Sequence, residues 1–129
     1  MLNLKSIHHV AIICSDYQAS KYFYTKVLGL KILKETYRAN RNSYKLDLSV
    51  NDKYQIELFS FPDPPKRITD PEASGLRHLS FEVDDLYKAL EELNRLNIVT
   101  ESLRLDELTG KNFVFFSDPD GLPIELYES

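Results

Sequence analysis

The sequence predicts an α+β protein made of two tandem βαβββ modules. Three features predict it: an internal repeat, an alternation of apolar and polar residues in the repeated strands, and a proline-rich segment between the copies. At 129 residues the chain has about the size of one domain and can bury a core without disulfides. We therefore expect a single domain over residues 5–129, with module one at about 5–61, a linker at about 62–74 and module two at about 75–129.

The internal repeat links two stretches in each half of the chain. Residues 9–16 read as an apolar strand with an acidic end, followed by a helix-like stretch, and residues 78–85 repeat this arrangement. Further along, the Ile-Glu-Leu of residues 56–58 returns at residues 124–126. The two copies of the first stretch lie 69 residues apart, and the two copies of the second lie 68 apart. Their spacing therefore matches as well as their composition. The two halves should therefore share one topology.

The elements follow from this pattern. The first module is expected to contain a strand at about 7–14, a helix at 17–27, and strands near 30–38, 43–50 and 54–61. The second is expected to contain a strand near 76–83, a helix at 86–96, and strands near 98–104, 112–117 and 122–127.

Local signals support both helices. The residues at 15–16 and 84–85 carry short oxygen side chains, which suit a helix N-cap because they accept from unpaired backbone N–H groups. In the second helix, leucines recur at helical spacing and form an apolar stripe that would pack on the sheet. These are Leu86, Leu90, Leu93 and Leu96.

Proline and glycine mark the connections. The prolines between residues 62 and 71 disfavour both helix and central strand, which makes this segment the linker between the modules. The run Asp-Pro-Asp-Gly at 118–121 is turn chemistry, because proline presets one φ angle and glycine permits a positive one. It should join the last two strands as a tight hairpin.

Composition excludes several classes of partner. The net charge of −4 without a clustered basic stripe argues against nucleic acid, and no apolar run approaches the roughly 20 residues that a membrane span needs. The N-terminus shows no secretory signal pattern, so we expect a cytoplasmic protein. Cys14 is the only cysteine and lies in an apolar run, where a thiol usually serves as a small hydrophobe. A small-molecule partner is the better expectation.

Strand alternation separates four polar residues from their apolar neighbours. Residues two apart in a strand share a face, so His9 lies on the face opposite to Val10 and Ile12, and the other three polar residues are separated from their neighbours in the same way. Repeat symmetry should bring these residues together on the concave face. Because buried carboxylates are costly without a partner charge, a divalent cation would neutralise both of them. The candidate metal ligands are His9, Glu57, His78 and Glu125.

A lone histidine or glutamate on a strand is more often a hydrogen-bonded or solvated residue than a ligand. Here the recurrence of one His and one Glu, 48 residues apart in the first module and 47 in the second, favours ligation. Mixed imidazole and carboxylate ligation suits nickel, zinc, cobalt, manganese or iron, and ligand type does not choose among them. His8 falls on the opposite face, has Arg77 at its equivalent position, and is assigned no function.

The sequence around these residues resembles that of the vicinal oxygen chelate superfamily, which includes glyoxalase I, fosfomycin-modifying enzymes, extradiol dioxygenases and bleomycin-binding proteins. The resemblance covers nearly the whole chain. In detail, the sequence is similar to small bacterial glyoxalase-like proteins without an assigned substrate. It implies a curved mixed sheet around one divalent ion per site. The segments that carry it are 9–12, 56–58, 75–81 and 116–126.

Within that superfamily, a glutamate at the position of Glu57 points towards glyoxalase I. The dioxygenases and fosfomycin enzymes typically use two His and one Glu, and methylmalonyl-CoA epimerase, another member of the superfamily, usually has glutamine at this position. In glyoxalase I the metal polarises the oxygens of a hemithioacetal, a carboxylate removes the carbon-bound proton, and the metal stabilises the enediolate. The resemblance therefore implies Glu125 as the general base, with Glu57 in the symmetric role.

The leading hypothesis is thus a metal-dependent lyase or isomerase acting on a 2-oxoaldehyde–thiol adduct. The alternatives are another metal-dependent reaction such as a dioxygenase, and a non-catalytic small-molecule binding protein. The resemblance also implies a homodimer, in which each site is made within one chain or shared between two swapped chains. Arg38, Arg41 and Arg104 could meet an anionic substrate, although arginines of this kind are more often solvated surface charges.

Overall fold

The computed structural model describes residues 1–129, which divide into two compact units, Met1–Pro65 and Lys66–Ser129. Each unit carries one βαβββ module, and each module forms its own four-stranded mixed sheet. This arrangement confirms the predicted α+β class and the tandem modules. The division between the units falls inside the proline-rich segment, in a stretch without helix or strand between Ser60 and Leu79.

Unit 1 contains four strands and a helix. Its elements are β1 (His9–Cys14), α1 (Tyr17–Tyr22, continued by a π-helical turn at Phe23–Val27), β2 (Lys31–Arg38), a 3₁₀ turn (Ala39–Arg41), β3 (Ser43–Val50) and β4 (Tyr54–Ser60). The strand order is β1-β4-β3-β2, with β1 parallel to β4 and the other pairs antiparallel. These bounds agree with the sequence expectations to within about two residues.

The unit 1 core lies where α1 packs on β4. Asp16 caps α1, because its carboxylate accepts from the backbone N–H of Ala19 at 3.1 Å, as its position before the helix predicts. Leu46 and Leu58 are fully buried on one face of the sheet. Cys14 is also buried, in agreement with its interpretation as a small hydrophobe.

Unit 2 repeats the pattern. Its elements are β5 (Leu79–Val83), α2 (Leu86–Arg95), β6 (Arg104–Asp106), β7 (Lys111–Ser117) and β8 (Pro123–Glu128), with strand order β5-β8-β7-β6. Asp85 caps α2 by accepting from the N–H of Lys88 at 3.0 Å. Leu86 and Leu93 of the predicted leucine stripe are buried, and α2 packs on β8. None of the helices in either unit is both long and apolar enough to cross a membrane.

One predicted strand is wrong. The expected strand at 98–104 overlaps the observed β6 only at Arg104, and β6 has three residues. The reason is the way α2 ends: Asn97 takes a positive φ of 59°, and the N–H of Ile98 bonds back to Leu93. The following residues make a single backbone bond to the sheet, from the N–H of Glu101 to the carbonyl of Phe115. An apolar pattern alone does not reveal that the backbone there is still leaving the helix.

The fully buried position of Leu58 leads to a stability prediction. Leu58→Ala removes buried apolar surface and leaves a cavity, and we expect it to lower the free energy of unfolding by about 2–5 kcal/mol. Leu108→Ala serves as the control, because Leu108 is 97% exposed and should change stability by no more than about 0.5 kcal/mol. Urea denaturation of both variants measures the difference. Equal effects would contradict the assignment of Leu58 to the core.

Candidate functional site

The first candidate pair lies on the parallel strands β1 and β4. Their register places Ala11 beside Glu57, so the side chain of His9, two residues earlier, reaches the same part of the sheet. His9 Nε2 lies 3.5 Å from Glu57 Oε2. The amide of Gln55 donates to the same carboxylate oxygen at 3.1 Å. Glu57 is buried and His9 is partly exposed, so an imidazole nitrogen and a carboxylate meet at the surface of the sheet.

His8 does not point away from this pair. The prediction that it lies on the opposite face is wrong, because β1 begins only at His9 and the extended alternation does not include His8. Its Nδ1 lies 2.8 Å from Nδ1 of His9, and the two rings meet edge to face. One Nδ1 donates and the other accepts. This bond engages Nδ1 of His9 and leaves Nε2 facing Glu57.

Two charged residues on β3 complete the surroundings of Glu57. Asp47 stands directly opposite Glu57 in the antiparallel β3–β4 register. Lys45 Nζ lies 2.8 Å from Asp47 Oδ1 and 3.6 Å from Glu57 Oε1, so one ammonium serves both carboxylates. The hydrogen bond to Asp47, with the negative charges of both acids, holds the pKa of Lys45 above its usual value. Each oxygen of Glu57 therefore has a close neighbour.

The second pair lies at the matching place in unit 2. His78 immediately precedes β5, and Glu125 lies on β8, which pairs parallel with β5. His78 Nε2 is 3.8 Å from Glu125 Oε1, and both side chains are largely buried. The ring of Phe115, opposite Glu125 in the β7–β8 register, meets the imidazole edge to face with centroids 5.1 Å apart. His78 lies within ion-pair distance of Glu125, and Arg77, which pairs with Glu72, also feels the charge of this carboxylate.

The turn before β8 sets this register. The N–H of Gly121 bonds to the carbonyl of Asp118, and Gly121 takes the positive φ that the sequence pattern predicts. The buried carboxylate of Asp118 accepts from the backbone N–H groups of Asp120 and Leu122, each at 2.9 Å. The predicted tight hairpin is confirmed, and it fixes Glu125 opposite Phe115.

A cavity of about 400 Å³ opens beside the second pair. His78 and Glu125 line it together with the rings of Phe113 and Phe115. The guanidinium of Arg104 lies over both rings, 5.5 Å and 5.3 Å from their centroids, and pairs with a nearby glutamate. The wall of the cavity therefore combines aromatic rings with charged side chains, including three arginines.

The two other arginines considered from the sequence lie in unit 1. Arg38 stacks over Phe59 and Phe61, and it donates to Ser43 but has no carboxylate partner. Its Nε is buried without a hydrogen-bond partner. Arg41 is exposed in the 3₁₀ turn and contacts neither pair.

The donor atoms of each pair fit the coordination of a divalent ion. Metal bonds to imidazole nitrogen and carboxylate oxygen are about 2.0–2.2 Å long, so adjacent donors on one ion lie roughly 2.8–3.6 Å apart at angles of about 90–110°. The separation of 3.5 Å falls within this range and that of 3.8 Å is slightly longer, and in both pairs Nε2 is the nitrogen that faces the carboxylate. Each unit by itself supplies two candidate donors, and no group of three or more His, Cys, Asp or Glu side chains forms a metal cluster.

Sequence reasoning missed the residues that surround the pairs. Lys45 and Asp47 share a face of β3, and Gln55 shares a face with Glu57, so alternation alone could have identified their side. Which residue stands opposite Glu57 depends on strand register, and the register depends on the turn at residues 51–53. The aromatic neighbours of Glu125 were missed for the same reason.

Comparison with known proteins identifies the class of protein. Residues 6–126 match the Glyoxalase/Bleomycin resistance protein/Dioxygenase superfamily, which covers nearly the whole chain. The chain therefore belongs to this family, and the resemblance drawn from the sequence motifs is confirmed.

Individual relatives support the same assignment. The chain is 65% identical over 125 residues to the uncharacterized protein YwkD of Bacillus subtilis strain 168, covering 97% of this chain and 98% of that protein. It is 55% identical over 128 residues to the uncharacterized protein YaeR of Escherichia coli strain K12, covering 99% of each. Glyoxylase I 4 of Arabidopsis thaliana is 29% identical over 136 residues, covering 97% of this chain and 71% of that protein.

A solved structure agrees in fold. The crystal structure of a glyoxalase family protein from Enterococcus faecalis matches with a TM-score of 0.88 at 48% identity, covering 96% of this chain and 98% of that one.

The turn at Asp118 generates a second prediction. Asp118→Ala leaves two backbone N–H groups without their carboxylate acceptor, so we expect a loss of about 1–3 kcal/mol in the free energy of unfolding. Glu107→Ala, at an exposed turn position, is the control and should be nearly neutral. Urea titration of both variants measures the effect. A neutral Asp118→Ala would show that the turn forms without its carboxylate.

Proposed function

We propose that this protein is a divalent-metal-dependent lyase or isomerase of the glyoxalase I type, acting on a small 2-oxoaldehyde–thiol adduct. The observation that carries the proposal is the repetition of one His–Glu pair in each unit, with Nε2 facing the carboxylate at 3.5 Å and 3.8 Å. Membership of the family and the likeness to Glyoxylase I 4 support this chemistry.

In this proposal the two pairs together hold one divalent ion, and the four ligands are His9, Glu57, His78 and Glu125. Nickel, zinc, cobalt, manganese and iron all suit this donor set. The chemistry that such an ion supplies when bound is Lewis-acid polarisation of a substrate oxygen. We also propose that the protein is a homodimer. Two copies of the chain then carry two full sets of ligands, whether each set comes from one chain or from both.

Glu125 is the better candidate for the general base. Its carboxylate lines the cavity with His78 within ion-pair distance, whereas Glu57 is engaged by Lys45, Gln55 and His9. In the reaction Glu125 accepts the proton from the carbon that bears the sulfur. The same carboxyl group then delivers this proton to the adjacent carbonyl carbon, and the hydroxyl proton moves from the oxygen on the sulfur-bearing carbon to the former carbonyl oxygen. The adduct is thereby isomerised to the thioester of a 2-hydroxy acid, with no atom gained or lost.

The cavity beside Glu125 would hold the substrate during this transfer. The rings of Phe113 and Phe115 offer apolar contact and exclude water from the reacting carbons. Arg104, spread over the two rings, presents N–H donors at the cavity surface, where they can meet an anionic group of the thiol. Arg38 has no carboxylate partner of its own and is the second candidate for such a contact.

The ligand assignment predicts the behaviour of a double variant. His9→Ala/His78→Ala removes both imidazole donors and should abolish stoichiometric binding of nickel or zinc, measured by elemental analysis of the reconstituted protein. Undiminished metal in this variant would exclude the assignment.

His8→Ala is a second variant for the same experiment, and we expect it to have an intermediate effect on metal binding. Because His8 bonds to Nδ1 of His9, it should weaken metal binding without abolishing it, by about 10–100-fold, as is typical of partners that orient a ligating histidine.

The base assignment makes a separate prediction. Glu125→Gln keeps an oxygen donor but loses the basic carboxylate, so turnover should fall by about 10²–10⁴-fold while metal remains bound. Rate and metal content are measured on the same sample, with a panel of 2-oxoaldehyde–thiol adducts and each of the five metals. Normal turnover in Glu125→Gln with collapse in Glu57→Gln would move the base to unit 1.

The native protein decides between the proposed lyase and its alternatives. An adduct that binds without turnover under every metal would indicate a small-molecule binding protein. An oxygen-consuming activity that requires iron would instead indicate a dioxygenase.

A further inference from the structure

The two candidate pairs differ in one respect that repeat symmetry does not predict. Beside Glu57, a lysine ammonium lies within ion-pair distance of the carboxylate, with Lys45 Nζ 3.6 Å from Oε1. The same ammonium is anchored at 2.8 Å by Asp47. The side chains of Asp47 and Glu57 are only 15% and 10% exposed, so this charge cluster lies mostly out of water.

Strand register explains why a cation is needed there. Asp47 and Glu57 stand directly opposite each other across β3 and β4, and like charges in that position destabilise a sheet. Two poorly solvated carboxylates also lose hydration, and a positive partner shared between them compensates for this loss. Lys45, two residues before Asp47 on the same face, supplies that partner.

Unit 2 has no cation at the equivalent strand positions. The residue opposite Glu125 is Phe115, and the residue two positions before it is Phe113. Aromatic rings therefore occupy the two places that Asp47 and Lys45 occupy in unit 1. The carboxylate of one module carries its own positive charge, and the carboxylate of the other faces a cavity.

We propose that Lys45, anchored by Asp47, is a built-in counter-cation that neutralises Glu57 in the metal-free protein and competes with a divalent ion for this carboxylate. The inference rests on the metal site proposed above and assigns Lys45 a positioning role. A unit charge close to a ligand raises the electrostatic cost of bringing in a divalent ion, most strongly where water is largely excluded. Lys45 also holds Oε1 of Glu57, which leaves Oε2 to face His9.

The experiment measures Ni²⁺ affinity by titration calorimetry on the full chain at fixed pH and ionic strength. Lys45→Met removes the competing charge and keeps the aliphatic stem, so it should bind Ni²⁺ more tightly, by at least about tenfold. Lys45→Arg keeps the charge and should remain close to the native affinity. The matched control is Lys31→Met, which breaks another lysine–aspartate pair of unit 1, with Asp52 at 3.7 Å, in a well-exposed position.

Two further readouts separate this role from a merely structural one. In the metal-free protein, Lys45→Met should lower Tm, and added Ni²⁺ should raise Tm by more than it does in the native protein. In a Glu57→Gln background, Lys45→Met should change Ni²⁺ affinity much less, because the carboxylate for which it competes is gone. If Lys45→Met does not fold, Lys45→Gln replaces it in each arm.

The outcomes are distinguishable from those of the proposed function. Tighter Ni²⁺ binding in Lys45→Met, with native behaviour in Lys45→Arg and Lys31→Met, supports the counter-cation. Unchanged or weaker binding in Lys45→Met overturns it and leaves the proposed metal site in place. Absence of Ni²⁺ binding in the native protein overturns both.

Discussion

A largely buried carboxylate on a sheet requires partners that compensate for its lost hydration, and this requirement explains the surroundings of both candidate glutamates. Glu57 is compensated by an ammonium, an amide and an imidazole. Glu125 has an imidazole and the opening of a cavity. Without these partners, an acidic residue in the middle of Ile-Glu-Leu would be a costly interruption of an otherwise apolar strand.

The pairing of the first and last strands in each module provides the imidazole. In both sheets these strands run parallel and adjacent, β1 with β4 and β5 with β8. A histidine at the start of the first strand therefore lies beside a glutamate near the middle of the last one. The helix packs on the opposite face and buries the alternate residues. One topology thus produces the same His–Glu contact twice.

The faces around these contacts have diverged in chemistry. Unit 1 surrounds its glutamate with charge through Lys45 and Asp47, and unit 2 surrounds its glutamate with the rings of Phe113 and Phe115. A carboxylate that is held by an ammonium is poorly disposed to accept a proton, whereas one that lines a cavity beside aromatic rings suits proton exchange with a substrate. The difference between the modules is the physical basis for proposing different roles for two residues that the repeat makes equivalent.

Much of this protein follows from the sequence by itself. Repeated spacing and strand alternation determined the two modules, the helix caps, the turn at Asp118 and the four residues that form the two pairs, because these depend on local periodicity and on short-range backbone chemistry. Tertiary structure decided what stands beside each pair. The contact of His8 with His9, the short β6 and the placement of Lys45 against Glu57 depend on where strands begin and on how they register. Register is determined by turns and by packing across distant segments. The positions of two residues along the chain therefore do not indicate whether they are neighbours in space.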